Sequence, residues 1–404
     1  MPLKSLKLLL LAITVVGLAA GQETAPPNSA ELATRNEIQL IEKLLSQLPD
    51  RAPALFQLAH DYATLGDSTK AMSLLRQCIA LGEGFNPEGD PAFAALKGNA
   101  EFKALLEQVH GDFPPVHRAR VAFTIPEKDL IPEGLAFDPG EHVFYMGSLS
   151  KRKILRIRKG EATEFTSERD HLGPICGIKA DARNGDVWAN TCRNEGTGAE
   201  LVHFDSHGKL LERFGLTTAG PHLFNDLVLR NENEIYLTDS LANQAFRFDR
   251  EKHSFTALRL PRPVYYPNGI TLSEDGNLLY IADAFGVLQY DLRSNRGREV
   301  APGMGTTLSG FDGLYWYRGS LVGIQNGLGM PRVARFQLDA SGERVTGKTV
   351  LEYRSNLVEL PTTGAIDGSK FYFMANTQID NWNEGRIVDP NKLAPIRVAV
   401  IQLH

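Results

Sequence analysis

The chain has 404 residues, 43% hydrophobic and 23% charged, with a formal net charge of −5. That length supports a large core and more than one domain, and the composition is globular rather than fibrous or disordered. A mildly acidic balance gives no electrostatic footprint for nucleic acid, whose binders carry a basic face.

Residues 1–21 hold Lys4 and Lys7, an apolar run from Leu8 to Ala20, and the small residues Ala19, Ala20 and Gly21. This three-part build predicts a secretory signal peptide, and the run is short for a membrane span. An uncleaved N-terminal anchor is the competing reading. The absence of a Cys after the run argues against lipid anchoring. Residues 22–29 read as a polar, Pro-containing linker. The expected location is therefore outside the cytoplasm, periplasmic or secreted, with no membrane span once the signal is removed.

Residues 30–112 change to a helical period, with Ile38, Ile41, Leu44, Leu45 and Leu48 on one stripe. Leu58, Ala59, Tyr62, Leu65 and Gly66, followed by Ala71, match one unit of a tetratricopeptide (TPR) repeat. A single unit must bury its faces against a host. The segment is expected either to cap the next domain or to bind a protein partner. Phe113-Pro114-Pro115 marks its end, since proline neither continues a helix nor donates to a ladder.

From residue 119 to 404 the period is two, and a longer repeat overlies it. The clearest unit is Tyr265 to Asp283: a Pro267-Asn268-Gly269 turn, an alternating strand, the turn Glu274-Asp275-Gly276-Asn277, and a second strand. Related hairpins are anchored at 133, 177, 225, 268, 312 and 367. The steps, roughly 43–55 residues, are those of four-stranded propeller blades. Six anchors predict an all-β six-bladed β-propeller preceded by a small α-helical, TPR-like domain. A repeated β-sandwich is the alternative. Arg120–Ile125 and Ile396–Leu403 read as strands that close the ring, one completing the other's blade.

The innermost strand of each blade lines a central channel, so residues at its entry converge on one mouth. Glu133, Asn225, Asn268 and Asp312 would then form an all-oxygen ring, a donor set suited to a hard cation such as calcium. Taken singly, each reads as a turn or cap residue. Cys176 and Cys192 flank one predicted hairpin; they either pair across it or stay as buried thiols. Cys78 reads as a small core residue.

Pro132-Glu133-Gly134, Phe224-Asn225-Asp226, Pro267-Asn268-Gly269 and Phe311-Asp312-Gly313, in this order over roughly residues 120–402, resemble the SMP-30/gluconolactonase/LRE superfamily of calcium-dependent six-bladed propellers. The resemblance implies Glu133, Asn225, Asn268 and Asp312 as ligands of Ca2+ or another divalent cation, and hydrolysis of a lactone or related ester as the activity. Two departures bear on the substrate: Leu223 stands where gluconolactonase-type members have Arg, and Cys176 stands near the place of the paraoxonase catalytic His.

Asp312 is the expected general base or nucleophile, and His222 a candidate acid or base beside the Asn225 anchor. A lone His beside a strand is more often a satisfied surface or core residue, and that is the competing reading of His222. Trp188, Tyr266 and Trp316 are expected to pack between blades rather than wall a pocket. No Gly-Xaa-Ser-Xaa-Gly elbow, zinc-protease motif or phosphate loop occurs. The expected function is an exported calcium-dependent hydrolase of a small-molecule lactone or ester. The alternatives are a non-catalytic ligand- or partner-binding propeller, or a strictosidine-synthase-like condensing enzyme.

Overall fold

The computed structural model describes residues 29–46, 48, 50–192, 198–216, 218, 220–383 and 385–404. The predicted signal peptide and residues 22–28 of the predicted linker lie outside them. Ser29 already belongs to the first helix. The helical stripe folds as α1 (Ser29–Leu44), α2 (Ala52–Thr64), α3 (Ser68–Ala80) and α4 (Ala100–Asp112). Gly66, at φ +84°, supplies the left-handed turn between α2 and α3. The Asp67 carboxylate then caps α3 by accepting from Lys70 N at 3.0 Å. Phe56, Phe93, Phe102, Leu75 and Cys78 fill the core of the module. No helix among the described residues is long and apolar enough to cross a membrane.

The strands build six blades. Blades one to four are four-stranded antiparallel sheets over residues 132–164, 175–215, 224–257 and 270–299. Blade five, 311–353, gains a fifth edge strand, Val116–His117, against Glu352 and Tyr353. Blade six takes Gly364–Asp367, Lys370–Met374 and Ile396–Gln402, and its outermost strand is Arg120–Ile125. The ring thus closes as the sequence predicted: the first propeller strand completes the last blade and removes the free edge. Large side chains from neighbouring blades interdigitate, as where Trp316 stacks on Tyr280 with centroids 5.4 Å apart.

Four of the innermost strands carry a bulge at their entry, between Pro132 and Leu135, Ile175 and Ile178, Phe224 and Leu227, and Phe311 and Leu314. Glu133, Asn225 and Asp312 sit in these bulges, which turn side chains out of the pleat. Asn268 lies at the matching place, two residues ahead of Ile270. One anchor is corrected. Asp367 pairs with Lys370 across the Gly368-Ser369 turn, at the opposite end of the inner strand. An Asp-Gly pair marks a turn at either end of a hairpin, and the blade-six counterpart of Asp312 is Thr362, two residues before Gly364.

The bulges bring backbones of adjacent blades together. A Cβ on Gly134 would stand 2.1 Å from the Cys176 carbonyl oxygen, which no side-chain rotation relieves. Gly134→Ala should therefore destabilise the protein by about 3 kcal/mol. Gly98→Ala, where a Cβ meets nothing within 4 Å, should change stability by no more than about 0.5 kcal/mol. Urea midpoints of the two variants check this.

The helical module caps the mouth-side face of blades four and five. Ala284 and Phe285, just past the second strand of blade four, pack against Ile38, Ile41, Ala54 and Leu58. Leu328, from the loop after the second strand of blade five, is wholly buried in the helical core, and its carbonyl accepts from Asn86 N at 2.9 Å. Polar contacts flank this apolar seam. Thr307 Oγ1 donates to Asp50 Oδ2. Arg332, 2% exposed, donates to Gln325 Oε1 at 2.7 Å and to the Glu83 carbonyl at 3.0 Å. Burial draws the Arg332 guanidinium down to about 10. Burial and the neighbouring Asp50 push Glu83 up to about 8.

Candidate metal centre at the channel mouth

The bulged entries place Glu133, Asn225, Asn268 and Asp312 at one end of the ring, from blades one, three, four and five, and all four are buried. Asn268 Nδ2 donates to Asp312 Oδ1 at 3.0 Å. On the far side of the same carboxylate, Asn326 Nδ2 donates to Oδ2 at 2.6 Å. Asn225 Nδ2 donates to Ser240 Oγ at 3.0 Å, and Ser240 Oγ donates to the Pro267 carbonyl, next to Asn268. Glu133 is held through its backbone oxygen, which accepts from Thr363 Oγ1.

Both asparagines spend their N–H groups on protein acceptors, which leaves their carbonyl oxygens spare. Asn268 Oδ1 and Glu133 Oε2 are buried without a hydrogen-bond partner. Orphaned buried oxygens are costly and call for a partner. Among the described residues no group of three or more His, Cys, Asp and Glu side chains gathers to hold an ion. A cation here would thus depend on amide oxygens as well as carboxylates, a donor set that suits a hard dication and not zinc or copper.

The electrostatics point the same way. Burial, then the charge of Asp312, raises the Glu133 carboxyl well above its ordinary value, while Thr362 opposes the rise. Burial raises Asp312 to about 7, against the pull of the Asn326 and Asn268 amides. Two acids crowded into a dry mouth resist ionising together, and a dication there would reverse this. Asp226, next to Asn225, pairs with Lys179, with Nζ 2.8 Å from Oδ1, and its charge adds to the rise of both Glu133 and Asp312.

His222 lies three residues before Asn225 at the same end of blade three. Its Nδ1 meets Asp239 Oδ2 at 2.6 Å, and its Nε2 meets Thr218 Oγ1 at 3.1 Å. The ring is thus fixed from both sides, with Nε2 facing the Thr218 hydroxyl and, at 3.3 Å, the Thr218 carbonyl. No contact joins His222 directly to the four-oxygen ring. Trp188 packs between blades as expected: it stacks 4.0 Å from His203 of its own blade and joins a core with Phe224, Leu227 and Phe248 of blade three. Tyr266 does more than pack: burial and then the charges of Asp312 and Glu133 hold its phenol above its ordinary range, which places it in the field of the mouth.

The sequence reading did not reach Asn326, Ser240 or Thr362. Asn326 and Ser240 stand just past the second strand of their blades, 14 and 15 residues after Asp312 and Asn225. That recurring offset was the available signal. Cys176 occupies the ring position of blade two and is disulfide-bonded to Cys192, with Cα atoms 5.5 Å apart. Ile131, Leu149, Leu223, Ile379 and Trp382 surround the pair. Cys78 is a buried free thiol in the helical core.

No family model matches this chain, and no curated protein matches it. Solved structures do. A gluconolactonase from Xanthomonas campestris aligns with 72% of this chain and 91% of its own at 14% identity, with a TM-score of 0.49. A luciferin-regenerating enzyme aligns over 69% of this chain and 94% of its own at 13% identity and a TM-score of 0.48. The PQQ-bound aldose sugar dehydrogenase of Streptomyces coelicolor aligns over 71% of this chain and 100% of its own at 16% identity and a TM-score of 0.47. At such identities the likeness concerns the fold alone.

Proposed function

We propose that this chain is an exported, calcium-dependent hydrolase of a lactone or related ester, of the SMP-30/gluconolactonase type. The observation that carries the reading is the donor set at the mouth. Two carboxylates and two asparagines lie there with the amide nitrogens tied off, and two of the buried oxygens have no partner. Glu133, Asn225, Asn268 and Asp312 would hold the ion. When bound, calcium polarises a carbonyl oxygen and acidifies a water.

The chain's own residues do the rest. Asn268 and Asn326 fix the plane of the Asp312 carboxylate from both sides. Asp312 is thereby oriented to take a proton from the attacking water, or to attack the acyl carbon itself. His222, oriented by Asp239, would carry the proton onward from the rim through Nε2 once Thr218 releases it. The Cys176–Cys192 disulfide supports the export reading, since such bonds persist in oxidising compartments.

The test is hydrolysis of a panel of aliphatic and polyhydroxy lactones, with calcium and with chelator. Chelation should remove activity and calcium should restore it. His222→Asn should lower kcat about 10²-fold with calcium affinity unchanged. A protein that binds calcium yet hydrolyses nothing in the panel would be a binding propeller instead.

A further inference from the structure

The backbone hydrogen bonds that close each blade at the mouth put blades two and three in strict correspondence. Cys192 N donates to the Pro174 carbonyl at 2.8 Å, as Ser240 N donates to the Leu223 carbonyl at 3.0 Å. Each acceptor lies two residues before a ring position, Cys176 in one blade and Asn225 in the other. The same residue pair is then tied by its side chains. In blade three the tie is the 3.0 Å hydrogen bond from Asn225 Nδ2 to Ser240 Oγ. In blade two it is the covalent bond between Cys176 and Cys192.

Each tie also touches the next blade. Ser240 Oγ donates to the Pro267 carbonyl, beside Asn268 in blade four. Leu223, two residues from Asn225 in blade three, packs against the apolar cluster that contains both cysteines. Gly177, next to Cys176, has the Asn225 carbonyl so close that a Cβ there would stand 2.6 Å from it. The disulfide is thus a rigid wedge behind the one ring residue whose own side-chain tie is a single hydrogen bond between neutral groups.

We propose that the Cys176–Cys192 disulfide is a positioning element of the cation mouth: it holds Leu223, and through it Asn225, at the span an ion needs, so that reducing it loosens cation binding in a protein that stays folded. This rests on the calcium reading above. Reduction by dithiothreitol balances simply: the S–S bond takes up two electrons and two protons, and the reagent leaves as its cyclic disulfide. Blade two then keeps two thiols where a bond had been, and Leu223 loses its rigid backing.

The experiment is calorimetric titration of the full chain with calcium in four states: oxidised, reduced and kept under dithiothreitol, Cys176→Ala with Cys192→Ala, and Cys176→Asn with Cys192→Ser. The last pair copies the blade-three tie into blade two. Far-UV circular dichroism confirms that the sheets are intact in each state. Reduction and the alanine pair should weaken calcium about tenfold, and the Asn/Ser pair should recover most of that loss without any disulfide.

Equal affinity in the oxidised and reduced folded protein overturns the proposal. So does a weakening that the Asn/Ser pair fails to recover, because the bond would then act only as a staple on the fold. Should the alanine pair not fold, the reduced wild-type chain carries the same comparison. If the oxidised chain itself binds no calcium, the failure is that of the cation reading, and it is seen before any cysteine is changed.

Discussion

Asp312→Asn should stabilise the protein in chelator and weaken it in calcium. Without an ion, Asp312 and Glu133 are acids that burial keeps from ionising, the charge of Asp312 raises Glu133 further, and both carboxyls sit above their ordinary values. Exchanging one for an amide removes a buried like charge; Asn268 can rotate its own amide to keep a hydrogen bond. A gain of roughly 1–2 kcal/mol is expected in chelator at pH 7.5. In calcium the same change deletes a charged ligand. A loss of about 100-fold in affinity removes about 2.7 kcal/mol of ligand-linked stability, and lactone hydrolysis should vanish.

The pH dependence follows from the same groups. Their folded values are raised, so the native chain holds protons that the unfolded chain gives up. The stabilisation is fully present below about pH 4, near the unfolded carboxylate values. It is lost as pH climbs through the folded value of Asp312, about 7. In chelator, then, the melting temperature should fall between pH 4 and 8. Calcium should flatten that slope, and Asp312→Asn should flatten it without calcium. Thermal unfolding of both chains across this range decides the matter; an equal fall in melting temperature with and without calcium would remove Asp312 from the ion's shell.

The second large effect is expected far from any ligand. Leu328 is buried among the helices, yet it lies two residues after Asn326, whose amide holds Asp312. Leu328→Asp would bury an unpaired carboxylate against Phe56 and Phe85, at a cost of 3 kcal/mol or more by a rough count. The module should undock, and limited proteolysis should then cut near Phe113-Pro114-Pro115. With the loop slack, Asn326 no longer restrains Asp312, and calcium affinity should drop about tenfold. Leu328→Ala should produce a weaker form of both effects. Unchanged cleavage together with unchanged affinity would mean that the capping module and the mouth are independent.

Much of this fold was readable because turn chemistry recurs. The hairpin from Tyr265 to Asp283 has its turns and strands where Asn-Gly and Asp-Gly signals place them. The closing strands were visible as isolated apolar alternations at both ends of the repeat region. The reading failed where a signal did not say which end of a blade it marked. Asp367-Gly368 looked like Asp312-Gly313 but belongs to the far turn, while Thr362, at the mouth, carries no turn signature. It also stopped short of residues that serve the mouth from the second strand. Asn326 and Ser240 matter through contacts of 2.6 and 3.0 Å that only the folded blade creates. The cysteine pairing stayed open for the same reason, since it depends on how two strand ends approach.

The seam of the ring joins residues 120–125 to residues 396–402, about 270 positions apart (396 minus 125). While the chain is being synthesised, the blades can form one after another as an open arc, each from local hairpins. Glu133 emerges from the ribosome long before Asp312, and the arc cannot fix blade one across the mouth from blade five until the segment 396–402 arrives, pairs, and sets blade six between them. The mouth is therefore the last part of the molecule to exist, and a nascent chain has no means of capturing an ion in it before the circle shuts.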